Sequence, residues 1–130
     1  MAADFGLVTE VPGVLSGTAW HWAGTVDDLV FTSGQIGWDE RGDVVGVDDP
    51  RAQTEQAFAN LARTLEAAGS SMDRIVKITG FIARPEALEE IRSVRDRWLP
   101  TRPPSTFVFV AGLVQPELIV EFEAIAVRGR

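Results

Sequence analysis

An α+β fold, with one mixed sheet and two helices free to pack on a single face, is what this sequence predicts. Three observations carry the prediction. Short β-branched-rich apolar runs are punctuated by Gly and Pro; two longer segments repeat apolar residues at helical spacing; and the order runs strands, helix, strand, helix, two strands. At 130 residues the chain is read as a single domain, 1–130, large enough to bury roughly two-thirds of its unfolded surface. Residues 1–17 form an N-terminal segment ahead of the first patterned run.

The elements follow in order. Residues 28–36, DLVFTSGQI, read as a buried strand that enters a turn at Gly34 and Gly37. A polar turn at 40–42 and a short return strand at 44–47 come next. Asp49 is placed to cap a helix with Pro50 at its first position, where a missing N–H costs nothing. Phe58, Leu61, Ala62, Leu65 and Ala68 fall at i, i+3, i+4, i+7 and i+10, one apolar stripe, and Gly69 stands where a C-terminal cap belongs. Residues 72–83 form a strand. Pro85 opens a second helix in which Leu88, Ile91, Val94 and Trp98 share a face, and Pro100 ends it. After a rigid loop at 101–105, two strands at 106–113 and 117–127 flank a turn at Gln115 and Pro116. On the last strand Leu118, Val120, Phe122, Ala124 and Ala126 make one apolar face, while Ile119, Glu121, Glu123, Ile125 and Val127 make another that is also mostly apolar. Helices on one side leave the other in need of a partner subunit, so an obligate oligomer is expected.

Composition excludes several chemistries. The absence of Cys removes disulfides, thiolate nucleophiles and Cys-based metal sites, and the absence of Tyr removes phenol acid/base work. One histidine, His21, cannot build a multi-His metal centre. A formal charge of −7, with Lys77 the only lysine and the arginines scattered, lacks the electrostatic footprint of a nucleic-acid binder. No apolar run approaches the ~20 residues that span a bilayer, and the acidic start MAADFGLVTE is not a signal peptide, so a cytoplasmic protein is expected. SGQIG does not match a dinucleotide fingerprint, and no phosphate loop, Ser/His/Asp order or metal spacing occurs.

What remains is a short set of candidates. Glu121 and Glu123 lie on one strand face among aliphatic side chains; burial and a neighbouring like charge raise a carboxyl toward neutral pH, as a general acid/base needs. The competing reading pairs one or both with arginines at an interface. Ser33, Gly34 and Gln35 at a strand end offer a hydroxyl, a flexible backbone N–H and an amide, although ordinary strand-to-turn transitions use the same residues. Ser105 and Thr106, after two prolines, are either a rigid hydroxyl pair or a strand start. Trp20 and Trp22 flank His21; on a strand the two indoles face one way, and they either wall a pocket for a planar ligand or close an oligomer interface.

Four blocks in order, LVFTSGQIG (29–37), AFANLARTLEAAGSSMDRIVKITGFI (57–82), PPSTFVFVAGL (103–113) and IVEFEAIAVR (119–128), resemble the YjgF/RidA family of reactive intermediate deaminases, over roughly residues 18–128. The resemblance implies a chorismate-mutase-like α+β fold, assembled as a homotrimer whose sheets form a central barrel with small-molecule sites between subunits. It implies hydrolysis of enamines and imines to 2-oxo acids and ammonia with no metal or organic cofactor. The family carboxylate that positions water matches Glu121, its first-strand aromatic matches Trp20, its SGQ segment matches Ser33, Gly34 and Gln35, and a pocket-lining apolar position matches Phe81. The loop arginine that grips the substrate carboxylate is replaced by Ser105, next to Thr106, so this sequence resembles the divergent branches; Arg84 and Arg102 are the arginines that could supply a charge instead. The implied roles are an imine- or enamine-directed hydrolase, a metabolite binder without catalysis, or a pathway-specific dehydratase or cyclase, acting on a small molecule rather than on nucleic acid or a membrane.

Overall fold

Val26 and Leu29 face each other across a two-residue turn, Asp27 and Asp28, in which Asp27 adopts a positive φ of 51°. Aspartate tolerates that conformation better than most residues, and the hairpin it closes starts the sheet. The computed structural model describes residues 3–129; positions 1 and 2 of the N-terminal segment, and Arg130, lie outside the described residues of the 1–130 domain. Strands β1 (Phe5–Val8), β2 (Ala23–Val26), β3 (Leu29–Thr32), β4 (Ile75–Ile82), β5 (Ser105–Phe109) and β6 (Val120–Val127) form one sheet in the order β1-β2-β3-β6-β4-β5. All neighbours are antiparallel except β4 and β5, so the sheet is mixed, as expected.

Helix α1 (Pro50–Ala67) begins as its sequence dictates: the Asp49 carboxylate accepts from the Ala52 N–H at 3.1 Å. It ends in a Schellman turn, with Ser70 N–H on Leu65 O at 2.8 Å, Gly69 N–H on Glu66 O at 3.0 Å, and Gly69 at φ 84°. Helix α2 (Leu88–Trp98) packs beside it, and both lie on one face of the sheet. Phe58, Leu61, Leu65, Ile91 and Val94 are buried there against Ile78, Ile82, Val120 and Phe122. Phe58 stacks on Phe122 at 4.3 Å between centroids. Gln53, fully buried, ties helix to sheet: its amide donates to Gly46 O and Glu117 O at 3.1 Å, and its carbonyl accepts from the Ile119 N–H at 2.5 Å.

Several element bounds differ from the sequence reading, each for a visible reason. The strand at 28–36 is shorter because Asp28 belongs to the hairpin turn, and β1 and β2 precede it. No return strand forms at 44–47; Gly46 and Asp48 at positive φ bend the chain, leaving an isolated bridge between Trp38 and Val44. Residues 72–74 and 85–87 close short 3-10 turns ahead of β4 and α2. The strand read at 106–113 spans Ser105–Phe109, and the strand read at 117–127 begins at Val120. Between them the N–H groups of Leu118 and Ile119 bond Gln115 O and the Gln53 side chain instead of a neighbouring strand. Trp20, His21 and Trp22 precede β2 rather than lying in a strand.

Candidate functional site

The site arises where β3 leaves its ladder with β6. Phe31 pairs with Ile125, yet Gln35 bridges Phe122, so the first strand spends one residue more than the second over this stretch. The extra residue makes a bulge. Thr32 Oγ1 accepts from the Ala124 N–H at 3.0 Å, compensating the local loss of a ladder bond. Gln35 N–H and C=O then bond Phe122 at 2.6 and 3.0 Å and resume the pairing. The bulge carries Gly34 directly over Glu121: a Cβ at Gly34 would overlap Glu121 Oε2, so any side chain here would push the carboxyl out of its place.

Glu121 is half-buried on the sheet face away from the helices. Burial pushes its carboxyl up from the ordinary value, and the Glu123 charge on the same strand pushes the same way. It opens into a cavity of about 300 Å³ lined also by Trp20, Trp22, Ser33, Gly34, Ile36, Trp38 and Val114. Gly34 and Ile36 stand on either side of the Gln35 bridge, and a tight turn closed by Trp38 N–H on Ile36 O at 2.9 Å brings Trp38 to the same space. Trp22 is buried, with its indole N–H on Leu15 O at 3.0 Å, and Trp38 donates to Gln115 Oε1 at 2.7 Å. Trp20 leans on both, with centroids 5.5 Å from Trp22 in an edge-on arrangement and 6.3 Å from Trp38. The two outer indoles are thus fixed by hydrogen bonds, and the third, Trp20, is half-open to solvent.

The structure brings together Trp20, Ser33, Gly34 and Glu121 from the sequence candidates. Phe81 stands opposite Glu121 in the β4–β6 register, on the same open face, but is not among the residues that line the cavity. Gln35 does not line it: fully buried, its amide lies 3.4 Å from Ser33 O and Oγ, and its carbonyl accepts from Thr64 Oγ1 at 3.5 Å, so it braces the turn from beneath. Ser105 also lies elsewhere. Its register partner is Ile78, on the helix side, and it lines a separate cavity with Arg95, Asp96, Leu99, Arg102 and Pro103. Thr106 faces the open side opposite Thr79 and accepts from Lys77 Nζ. Arg84 is paired with Asp48 at 3.0 Å. His21 is exposed, its Nδ1 2.7 Å from Thr9 Oγ1, and takes no part in the cavity. Ile36, Trp38 and Val114 are the lining residues that the sequence reading did not single out; alternation from Gly34 was a signal for Ile36, and none marked Trp38 or Val114.

Among the described residues no group of three or more His, Cys, Asp or Glu could hold a metal, and no helix is long and apolar enough to cross a membrane.

The model of the endoribonuclease L-PSP family matches residues 16–128. Among solved structures, the yeast protein YEO7 is 30% identical, superposes with a TM-score of 0.89, and is covered over 100% of its length by 97% of this chain. E. coli TdcF, solved with bound serine, is 26% identical with a TM-score of 0.85, over 95% of this chain and 99% of that one. RidA from the Antarctic bacterium Psychrobacter is 27% identical with a TM-score of 0.85, over 94% and 98%.

Proposed function

This chain belongs to the endoribonuclease L-PSP family, that of YjgF and RidA, and from that premise we propose that it is a small-molecule hydrolase acting on an imine, an enamine or a related carbonyl-derived metabolite. Membership supports a deaminase-like or metabolite-binding role in general terms. The finer reading rests on one observation: a half-buried carboxylate, Glu121, held above its ordinary titration range at the wall of an aromatic cavity beside the Ser33 hydroxyl.

In this reading Glu121 takes a proton from water as the water oxygen bonds to the imine carbon. That proton passes to nitrogen to give the carbinolamine; Glu121 then takes the carbinolamine hydroxyl proton and delivers it to nitrogen as the C–N bond breaks, so imine and water leave as carbonyl compound and amine. A carboxyl raised from its ordinary value by burial and by Glu123 suits both steps. Trp20 and Phe81 would flank the substrate and Ser33 would hydrogen-bond it. The chain would work as a homotrimer with sites between subunits, where Ser105 and Thr106 of the neighbouring copy could approach, without metal or organic cofactor and in the cytoplasm. RNA is a poor substrate for an open face carrying Glu121 and Glu123 on a chain of net charge −7.

The test generates imines in place with amino-acid and amine oxidases and follows their decay with and without the protein. Acceleration that falls about a hundredfold or more in Glu121→Gln is expected, the range of one general acid/base. No acceleration for any imine would defeat the hydrolase reading. The alternative, a metabolite binder without turnover, is favoured by Ser105, which stands where the family resemblance implies a carboxylate-gripping arginine.

A further inference from the structure

The charge of the tryptophan cavity says more than its shape. Among the described residues lining it, Glu121 is the only ionisable one; no Lys, Arg or His contributes. The cations nearest in the sequence reading are engaged elsewhere. Arg84 pairs with Asp48, Lys77 donates to Thr106, Arg102 opens into the helix-side cavity, and His21 turns to Thr9. A ligand carboxylate entering here would meet a carboxylate and three indoles and would lose its hydration with no cation, and only the Ser33 hydroxyl, to replace it. A cation would meet the opposite. Indole faces attract cations more strongly than any other side-chain ring, and most strongly where water is excluded. A positive charge within reach of Glu121 would also favour ionisation of that carboxyl, relieving the cost that its burial imposes.

We infer that the cavity formed by Trp20, Trp22, Trp38 and Glu121 takes an organic cation, an ammonium or protonated imine attached to an aromatic or aliphatic body and bearing no carboxylate beside the nitrogen. This deepens the hydrolase reading, on which it rests for the role of Glu121, by naming the substrate class: iminium ions derived from amines, in preference to those derived from amino acids. The fixed rings of Trp22 and Trp38 give the cavity a preformed floor, and Trp20, the one indole whose N–H makes no hydrogen bond among the described residues, closes over the occupant. At about 300 Å³ the space sits at the lower end of the range for small-molecule sites, enough for a single aromatic ring with a short arm.

Three probes of one shape and different charge decide it: phenethylammonium, 2-phenylethanol and 3-phenylpropanoate. Each is titrated into the full chain at neutral pH by calorimetry and by quenching of tryptophan fluorescence. Phenethylammonium is expected to bind about tenfold more tightly than 3-phenylpropanoate and several-fold more tightly than 2-phenylethanol. Glu121→Gln is expected to remove the preference for the ammonium over the alcohol while keeping alcohol binding. Trp20→Ala, at a half-exposed position that the fold can spare, weakens both, and Trp20→Phe restores them in part. Equal affinity for the three, tighter binding of the carboxylate, or no binding by any probe overturns the inference. Its fate is separable from that of the hydrolase reading. A chain that hydrolyses imino acids yet prefers 3-phenylpropanoate keeps Glu121 as the acid/base and loses the cation site. A chain that prefers phenethylammonium yet hydrolyses no imine does the reverse.

Discussion

Glu121 concentrates the site's chemistry in one side chain, and that concentration has a thermodynamic signature. Its carboxyl is raised from the ordinary value of 4.5, first by burial and then by Glu123. The groups sharing its open face are Glu123, one row along β6, and Lys77, whose ammonium is already donated to Thr106. Between the ordinary and the raised value the folded chain holds a proton that the unfolded chain has released, so stability falls as pH rises through that window. Below the window both states are protonated and the effect vanishes. Glu121→Gln is therefore expected to raise the melting temperature by a few degrees at pH 7 and to match the wild type below the ordinary carboxylate range. Thermal melts of the two proteins across pH 3–8 check the sign; a variant less stable than wild type at pH 7 would contradict it. Gain of stability together with loss of function is the pattern of a strained working residue rather than a structural one.

At the scale of elements, the joint between α1 and the loops around it depends on Gln53. Its side chain satisfies Gly46 O, Glu117 O and the Ile119 N–H, none of which belongs to a strand ladder. Gln53→Leu keeps the volume and orphans these groups, of which the Ile119 N–H is fully buried, each worth about 1–3 kcal/mol; a loss near 3 kcal/mol in urea unfolding is expected, against less than about 1 kcal/mol for a surface change such as Arg51→Gln. Nothing in the local pattern announced this residue, because its partners lie far away in sequence. The same divide runs through the whole reading. The helices were legible since their signals are local: Asp49 and Pro50 at one end, the stripe from Phe58 to Ala68, and Gly69 at the other. The α+β class and the placement of Glu121 on a largely apolar strand face were legible from alternation. The β2–β3 hairpin was not, because Asp27 and Asp28 stand where Asn-Gly would have flagged a two-residue turn. Nor was the division of Ser105 from Glu121, which depends on the parallel register of β4 and β5, a long-range property that no turn or period encodes. The bulge that sets Gly34 over Glu121 is of that kind too.

At the scale of the whole molecule, the sheet has a covered face and an open one, and the open one is not built for water. Cross-strand partners share a face, so the register places Phe5, Val26, Leu29 and Val127 in one row and Leu7, Gly24, Phe31 and Ile125 in the next. Phe5 is 69% exposed, Leu7 51% and Phe31 42%. Aromatic and aliphatic side chains left open in adjacent rows form a contiguous patch, the kind that in stable proteins is covered by another chain. The other rows of the same face hold Glu121, Glu123 and the mouth of the tryptophan cavity, so whatever covers the patch also borders the site. A homotrimer closed around this face is the assembly we expect, and light scattering coupled to size exclusion should return three times the monomer mass. Phe31→Glu puts a charge at the centre of the patch and should yield monomers, whereas Val47→Glu, on a loop at 47% exposure, should leave the mass unchanged. The monomeric variant then reports on the site as well. If sites between subunits are the working ones, Phe31→Glu loses imine hydrolysis although Glu121, Ser33 and the three tryptophans are untouched; full activity in the monomer would place the whole reaction within one chain.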